Sequence, residues 1–97
     1  MKVDVTKNLE RRRYETEVNG YMAFIEYIKA KNAIYLTHTE VPVQLEGNGV
    51  GKAMVKEVLK GLKEDGARVA PLCPFVAAYI KENREWVPMV AEGYNVG

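Results

Sequence analysis

The stretch EVPVQLEGNGVGKAMVKEV, Glu40 to Val58, constrains this chain more than any other. An apolar run reaches Pro42, and alternating glycines follow at Gly47, Gly49 and Gly51. From Val50 the apolar positions fall at 50, 54, 58 and 62, with 51, 55 and 59 beside them. That spacing predicts a helix whose other side carries Lys52, Lys56, Lys60, Lys63 and Glu64. Gly66, after Asp65, is its C-terminal stop. A strand that passes through glycines into a helix aims several free N–H groups at one spot. The first helical turn has no internal acceptors for them, and the helix dipole adds roughly half a positive charge. Glycines let a ligand approach that backbone closely. Two readings follow from spacing alone, plain turn chemistry or an anion cradle. Lys52 in the first turn favours the cradle, because the dipole there prefers an acid unless an anion is bound.

The remaining chain supplies a sheet. RYETEV, residues 13–18, alternates with period two, placing Tyr14, Thr16 and Val18 on one face. Asn19-Gly20 is a hairpin signal, YMAFIEYI is the return strand, and KAKN at 29–32 is a second turn. AIYLTHTEV reads as a third strand ending where Pro42 removes a backbone donor. RVAPLC at 68–73 is a short strand, and Pro74 opens a second helix, PFVAAYIKENREW. The tail from Val87 has no clear period. Strand, glycine turn, helix, strand is a βαβ crossover, so the fold class is α+β: an antiparallel meander continued by one crossover, with two helices.

Residues 1–97 make one domain, long enough to bury roughly 60–70% of the unfolded surface. Fourteen basic residues against 13 acidic ones argue against a nucleic-acid or membrane-surface partner. The run Arg11–Arg13 reads as a solvated strand edge. One cysteine and one histidine give neither a disulfide framework nor a Cys/His zinc site, so no metal is expected. No run of roughly 20 apolar residues and no signal pattern is present, which makes a reducing cytoplasm the default. The charges on one face of RYETEV, read as an edge strand, suggest a monomer. A Walker loop does not fit, since no Gly-Lys-Ser/Thr follows, nor does a Rossmann turn, which follows the first strand of a parallel sheet.

QLEGNG, Gln44 to Gly49, resembles the Q/R-x-x-G-x-G/A acyl-CoA signature of the GCN5-related N-acetyltransferases. With THTEVP and PLCPFVAAYI in that order, residues 13–86 look like the small single-domain branch of that superfamily. The resemblance implies acetyl-CoA as the cofactor and an amine as acceptor. Pantetheine would pair with the backbone of Val41 and Val43 in a splay beside THTEVP, loosened by Pro42. Gln44, Gly47, Asn48, Gly49, Val50, Gly51 and Lys52 would hold the pyrophosphate. Asn83 would reach the pantetheine or adenine end. Glu46 departs from the family pattern, which usually carries Arg or Lys before the glycine.

Acetyl transfer needs a base for the nucleophile and an acid for the leaving thiolate. His38 and Glu40 alternate with Ile34 and Leu36, which puts all four on one apolar face and the pair at its end. The alternative is a partly buried histidine bonded to a carbonyl. Cys73 ends a strand and precedes a helix start, so the crossover brings it beside His38. Such a pair suggests transient S-acetylation of Cys73; the alternative is a small buried hydrophobe lining the pocket. Tyr79 shares a helix face with Phe75, and the resemblance gives it the role of thiolate acid, with core packing as the other reading. Three functions remain open: an acetyl-CoA-dependent acyltransferase, a non-catalytic CoA-binding module, and a phosphate-binding domain for another nucleotide.

Overall fold

The computed structural model describes all of residues 1–97. Its centre is a five-stranded sheet in sequence order, β1 (Thr6–Asn8), β2 (Arg13–Val18), β3 (Tyr21–Lys29), β4 (Ile34–Glu40) and β5 (Val69–Pro71). The first four strands are antiparallel, and β5 runs parallel to β4 after the crossover through α1 (Val50–Glu64). α2 (Pro74–Glu82) follows β5. No helix is long and apolar enough to cross a membrane. This is the expected α+β meander with one crossover.

Local chemistry explains the joints. Asn19 and Gly20 both take positive φ, at 52° and 82°, as a type I′ turn requires. α1 ends in a Schellman motif, where Gly66 N–H donates to the Lys63 carbonyl and Ala67 N–H to that of Leu62. The predicted stripe is the one α1 buries, Val50, Met54, Val58 and Leu62 with Gly51, Val55 and Leu59. Against it lie Tyr14, Ala23, Ile25, Tyr27 and Leu36 from one face of the sheet.

Several boundaries differ from the sequence reading. β1 was not anticipated, so RYETEV is an interior strand rather than an edge, and the monomer expectation loses its basis. The short β1 is held from outside itself: Thr16 Oγ1 donates to the Asp4 carbonyl at 2.6 Å, and the Lys7 ammonium lies 5.2 Å from the Tyr27 ring centroid. α2 stops at Glu82, and Arg84–Met89 continues as a 3-10 segment around Pro88, which cannot donate to an α-helical ladder. The tail is ordered by pairing: Val90 bridges Val69, and Ala91 N–H donates to the Val69 carbonyl at 2.8 Å.

The end of β4 breaks its alternation. Ile25 faces Thr39 and Glu26 faces His38, but Tyr27 faces Leu36, which leaves Thr37 as an extra residue in a bulge. Paired residues share a face, so Leu36 and Thr39 point to the helix side with Tyr27 and Ile25. His38 and Glu40 therefore point to the opposite, open side. One inserted residue moves everything after it across the sheet.

Candidate functional site

The glycine turn builds an open helix start. Residues 43–45 form a 3-10 turn, and Gly47 and Gly49 take φ of 80° and 76°. Gly49 caps α1 without a side-chain hydrogen bond, and the first turn carries no acid. The first α1 bond runs from Ala53 N–H to the Gly49 carbonyl at 3.0 Å; the amides of residues 47–52 have no acceptor in the protein. They border a groove of about 360 Å³ lined by Val41, Val50 and Phe75 and by Gly47, Gly49 and Gly51. The buried Leu45 and the exposed Glu46 and Lys52 complete its lining.

Gly51 is needed for a different reason than its neighbours. A Cβ there would sit 2.8 Å from Phe75 Cζ and 3.2 Å from Val41 Cγ2, so glycine lets α1, α2 and the end of β4 meet without displacing the Phe75 ring. Above Gly47 and Gly49 the space is free, and positive φ is what keeps side chains away. Lys52 Nζ lies 3.9 Å from Glu82 Oε2, both exposed, a pair that contributes little and leaves the ammonium available to an anion.

Next to this groove the sheet opens. β4 pairs with β5 only from Ile34 to Leu36, and the last backbone link is Cys73 N–H to the Leu36 carbonyl at 2.9 Å. β5 leaves because Pro71 ends it and Pro74 starts α2. Beyond Leu36 the β4 edge from Thr37 to Val41 has no strand on that side. The splay thus begins with β5 turning into α2, well before Pro42. Val43 is not part of the free edge: it opens the 3-10 turn, and its carbonyl accepts from Glu46 N–H at 3.2 Å.

Cys73 lies at the apex of the split. It is buried, caps α2 in an extended conformation, and donates from Sγ to Thr39 Oγ1 at 3.2 Å. His38 is not its partner. His38 Nε2 and Glu40 Oε2 are 3.1 Å apart on the open face, with side chains 53% and 57% exposed. The expected apolar setting of that pair and its contact with Cys73 are both overturned by the bulge at Thr37. On the open face the His38 ring lies 6.3 Å from Phe24, whose ring also carries the Arg13 guanidinium at 4.1 Å.

The remaining candidates are dispersed. Tyr79 is buried in the core with Trp86, and burial together with nearby Glu85 raises its hydroxyl pKa above the ordinary value of 10. It does not line the groove. Asn83 closes α2, its Nδ2 donating to the Tyr79 carbonyl at 2.9 Å, which is a different task from reaching a ligand. Gln44 and Asn48 are exposed beside the groove without lining it. The residue that sequence reasoning missed is Thr39, because unbroken alternation places it on the wrong face. A larger depression of about 900 Å³ lies at the other end of β4, by Lys31, Tyr35, Arg68 and Tyr94. No helix starts there, so it lacks a row of free amides. No cluster of His, Cys, Asp or Glu could hold a metal ion.

Comparison with known proteins agrees with this geometry. The family model described as GCN5-related N-acetyl-transferase matches residues 13–89, which take in the groove, the split and α2. The chain is 29% identical over 85 residues to Protein NATD1 of Gallus gallus and of Mus musculus, covering 84% of this chain and 76% of each relative. Protein NATD1 of Homo sapiens is also 29% identical over 85 residues, covering 84% of this chain and 74% of the relative. With four-fifths of its length matched by one model, and with free amides at the glycine turn beside a split sheet, this chain belongs to the GCN5-related N-acetyltransferase family.

Proposed function

We propose that this protein is an acetyl-CoA-dependent acyltransferase that passes the acetyl group directly to an amine. The observation that carries the reading is the row of unpartnered amides at residues 47–52, opening onto a groove continuous with Val41 at the end of a free strand edge. The site fits the cofactor chemically: amides, a helix start and the exposed Lys52 suit a pyrophosphate. The free β4 edge from Thr37 to Val41 suits an amide-bearing arm such as pantetheine. Acetyl-CoA supplies an acyl thioester already activated for attack by an amine.

The chain's own residues divide the remaining work between two faces. On the open face, Glu40 holds the His38 ring with the proton on Nε2, which leaves Nδ1 free to take a proton from an incoming amine. On the helix side, Tyr79 lies in the core outside the groove lining, so it packs α2 there rather than donating to a leaving sulfur. Cys73 has a hydroxyl for a partner and no base in contact, so it lines the split rather than carrying the acyl group. Its burial as a single free thiol suits a reducing compartment such as the cytoplasm.

A second reading, a CoA-binding module without turnover, draws on Glu46, a carboxylate in the groove lining. Free-thiol release from acetyl-CoA, followed over a panel of primary amines, separates the two. Release that depends on amine and survives Cys73→Ala supports direct transfer. Binding without release under every amine favours the module, and loss of turnover in Cys73→Ala favours a covalent route.

A further inference from the structure

The backbone ladder between β4 and β5 stops at Leu36, yet one more link crosses the split. Cys73 N–H donates to the Leu36 carbonyl, and three residues further along β4 the Cys73 thiol donates to Thr39 Oγ1. Both bonds come from the residue that caps α2. Thr39 reaches this position only because the bulge at Thr37 turns it to the helix side, opposite Ile25. Without the bulge, His38 would occupy that face and the thiol would meet a ring instead of a hydroxyl.

We propose that the Thr39–Cys73 hydrogen bond is a side-chain rung that extends the β4–β5 pairing past its last backbone bond and sets the mouth of the split, making Thr39 a positioning residue for acyl-CoA binding. The inference rests on the acyl-CoA reading of the groove. The rung spans the point where one strand turns away into α2, so it fixes the distance between the free β4 edge and the α2 N-terminus. Phe75, two residues after Cys73, lies against Gly51 and lines the groove together with Val41. The position of the α2 start is thereby passed to the cradle through one aromatic ring. Val at position 39 keeps the shape and removes the acceptor; Ser keeps the acceptor and removes a methyl group.

The test combines calorimetric titration of acetyl-CoA with the S–H stretching band, which this protein shows once because it has one cysteine. In Thr39→Val the band moves to higher frequency, and the dissociation constant rises roughly three- to tenfold, the worth of one neutral hydrogen bond. Thr39→Ser keeps both at wild-type values. Cys73→Ala weakens binding to a similar degree, and the double variant is no weaker than either single one, because both remove the same bond. In turnover, KM rises while kcat is kept. An unmoved band, unchanged affinity in Thr39→Val, or multiplying effects in the double variant would each overturn the rung while leaving the cofactor reading intact. Absence of acetyl-CoA binding by the wild-type protein overturns both together.

Discussion

Two helices begin within a ring's width of each other, and they begin in opposite ways. α1 starts in the open: Gly49 caps it with no side chain, the amides of residues 47–52 are unpaired, and the first turn holds a lysine. α2 starts closed. Cys73 caps it from the core, Pro74 removes one donor, and the Cys73 backbone and thiol are tied to Leu36 and Thr39. Both carry the same dipole. α1 leaves six amides without an acceptor, at residues 47–52, whereas α2 leaves two, at Phe75 and Val76. A helix start becomes an anion site through access and unspent N–H groups, and the dipole alone does not select it.

The largest expected effect lies away from both starts and isolates them from general stability. Burial pushes the Tyr14 hydroxyl up to about 12, with Tyr27 and Asp65 nearby adding to the shift. The unfolded chain ionises this group near 10, whereas the folded one resists. This group therefore leaves stability unchanged below pH 10 and lowers it by on the order of 2–3 kcal/mol as pH rises to 12. Tyr14→Phe removes most of that loss in chemical-denaturation curves. Its acetyl-CoA affinity at neutral pH stays unchanged, which shows that stability in this part of the core is separate from the open start.

The contact between the two starts is tested next. Gly51→Val drives a side chain into Phe75 and costs about 1–3 kcal/mol, read as a fall in Tm of roughly 5–20 °C. Adding Phe75→Ala to the same chain recovers part of the loss, since the ring is the obstacle. If Gly51→Val melts like the wild type, the two helix starts are not in contact.

Gly49→Asp attacks the difference itself. Its carboxylate at the α1 start gains only a few tenths of a kcal/mol over glycine, while the left-handed backbone costs about 1–2 kcal/mol. Stability therefore falls by roughly 1 kcal/mol, which leaves the protein folded for the binding measurement. Affinity for acetyl-CoA falls roughly tenfold or more, because a fixed negative charge takes the amides that a phosphate would use. Smaller still is Lys52→Ala, which lowers affinity a few-fold at low salt and less at high salt, with stability within about 0.5 kcal/mol. Pro74→Ala, at the closed start, leaves affinity as it was.

The open start is legible in the sequence because everything that makes it is local. Glycines at 47 and 49 set positive φ, and the apolar stripe from Val50 sets the helix. The three longer strands and the crossover follow from period and turn residues in the same way. The end of β4 is not legible. THTE alternates as well as any strand, and nothing within it marks Thr37 as extra. The bulge is defined only against Glu26 and Tyr27 on another strand, and it exchanges Thr39 for His38 beside Cys73. β1 escaped for a related reason: three residues carry no period, and the strand is held by Tyr14, Thr16 and Tyr27 from elsewhere. Asn83 looks free in sequence because its capping bond is to a helix whose end was placed four residues too late.

The central claim is that the free amides of residues 47–52 hold a pyrophosphate. Calorimetric titration with acetyl-CoA and with acetyl-pantetheine, which shares the arm and the thioester but lacks every phosphate, tests it most directly. The account predicts that acetyl-CoA binds at least tenfold more tightly and that Gly49→Asp removes most of this difference. Equal affinities, or a difference that survives Gly49→Asp unchanged, would contradict it.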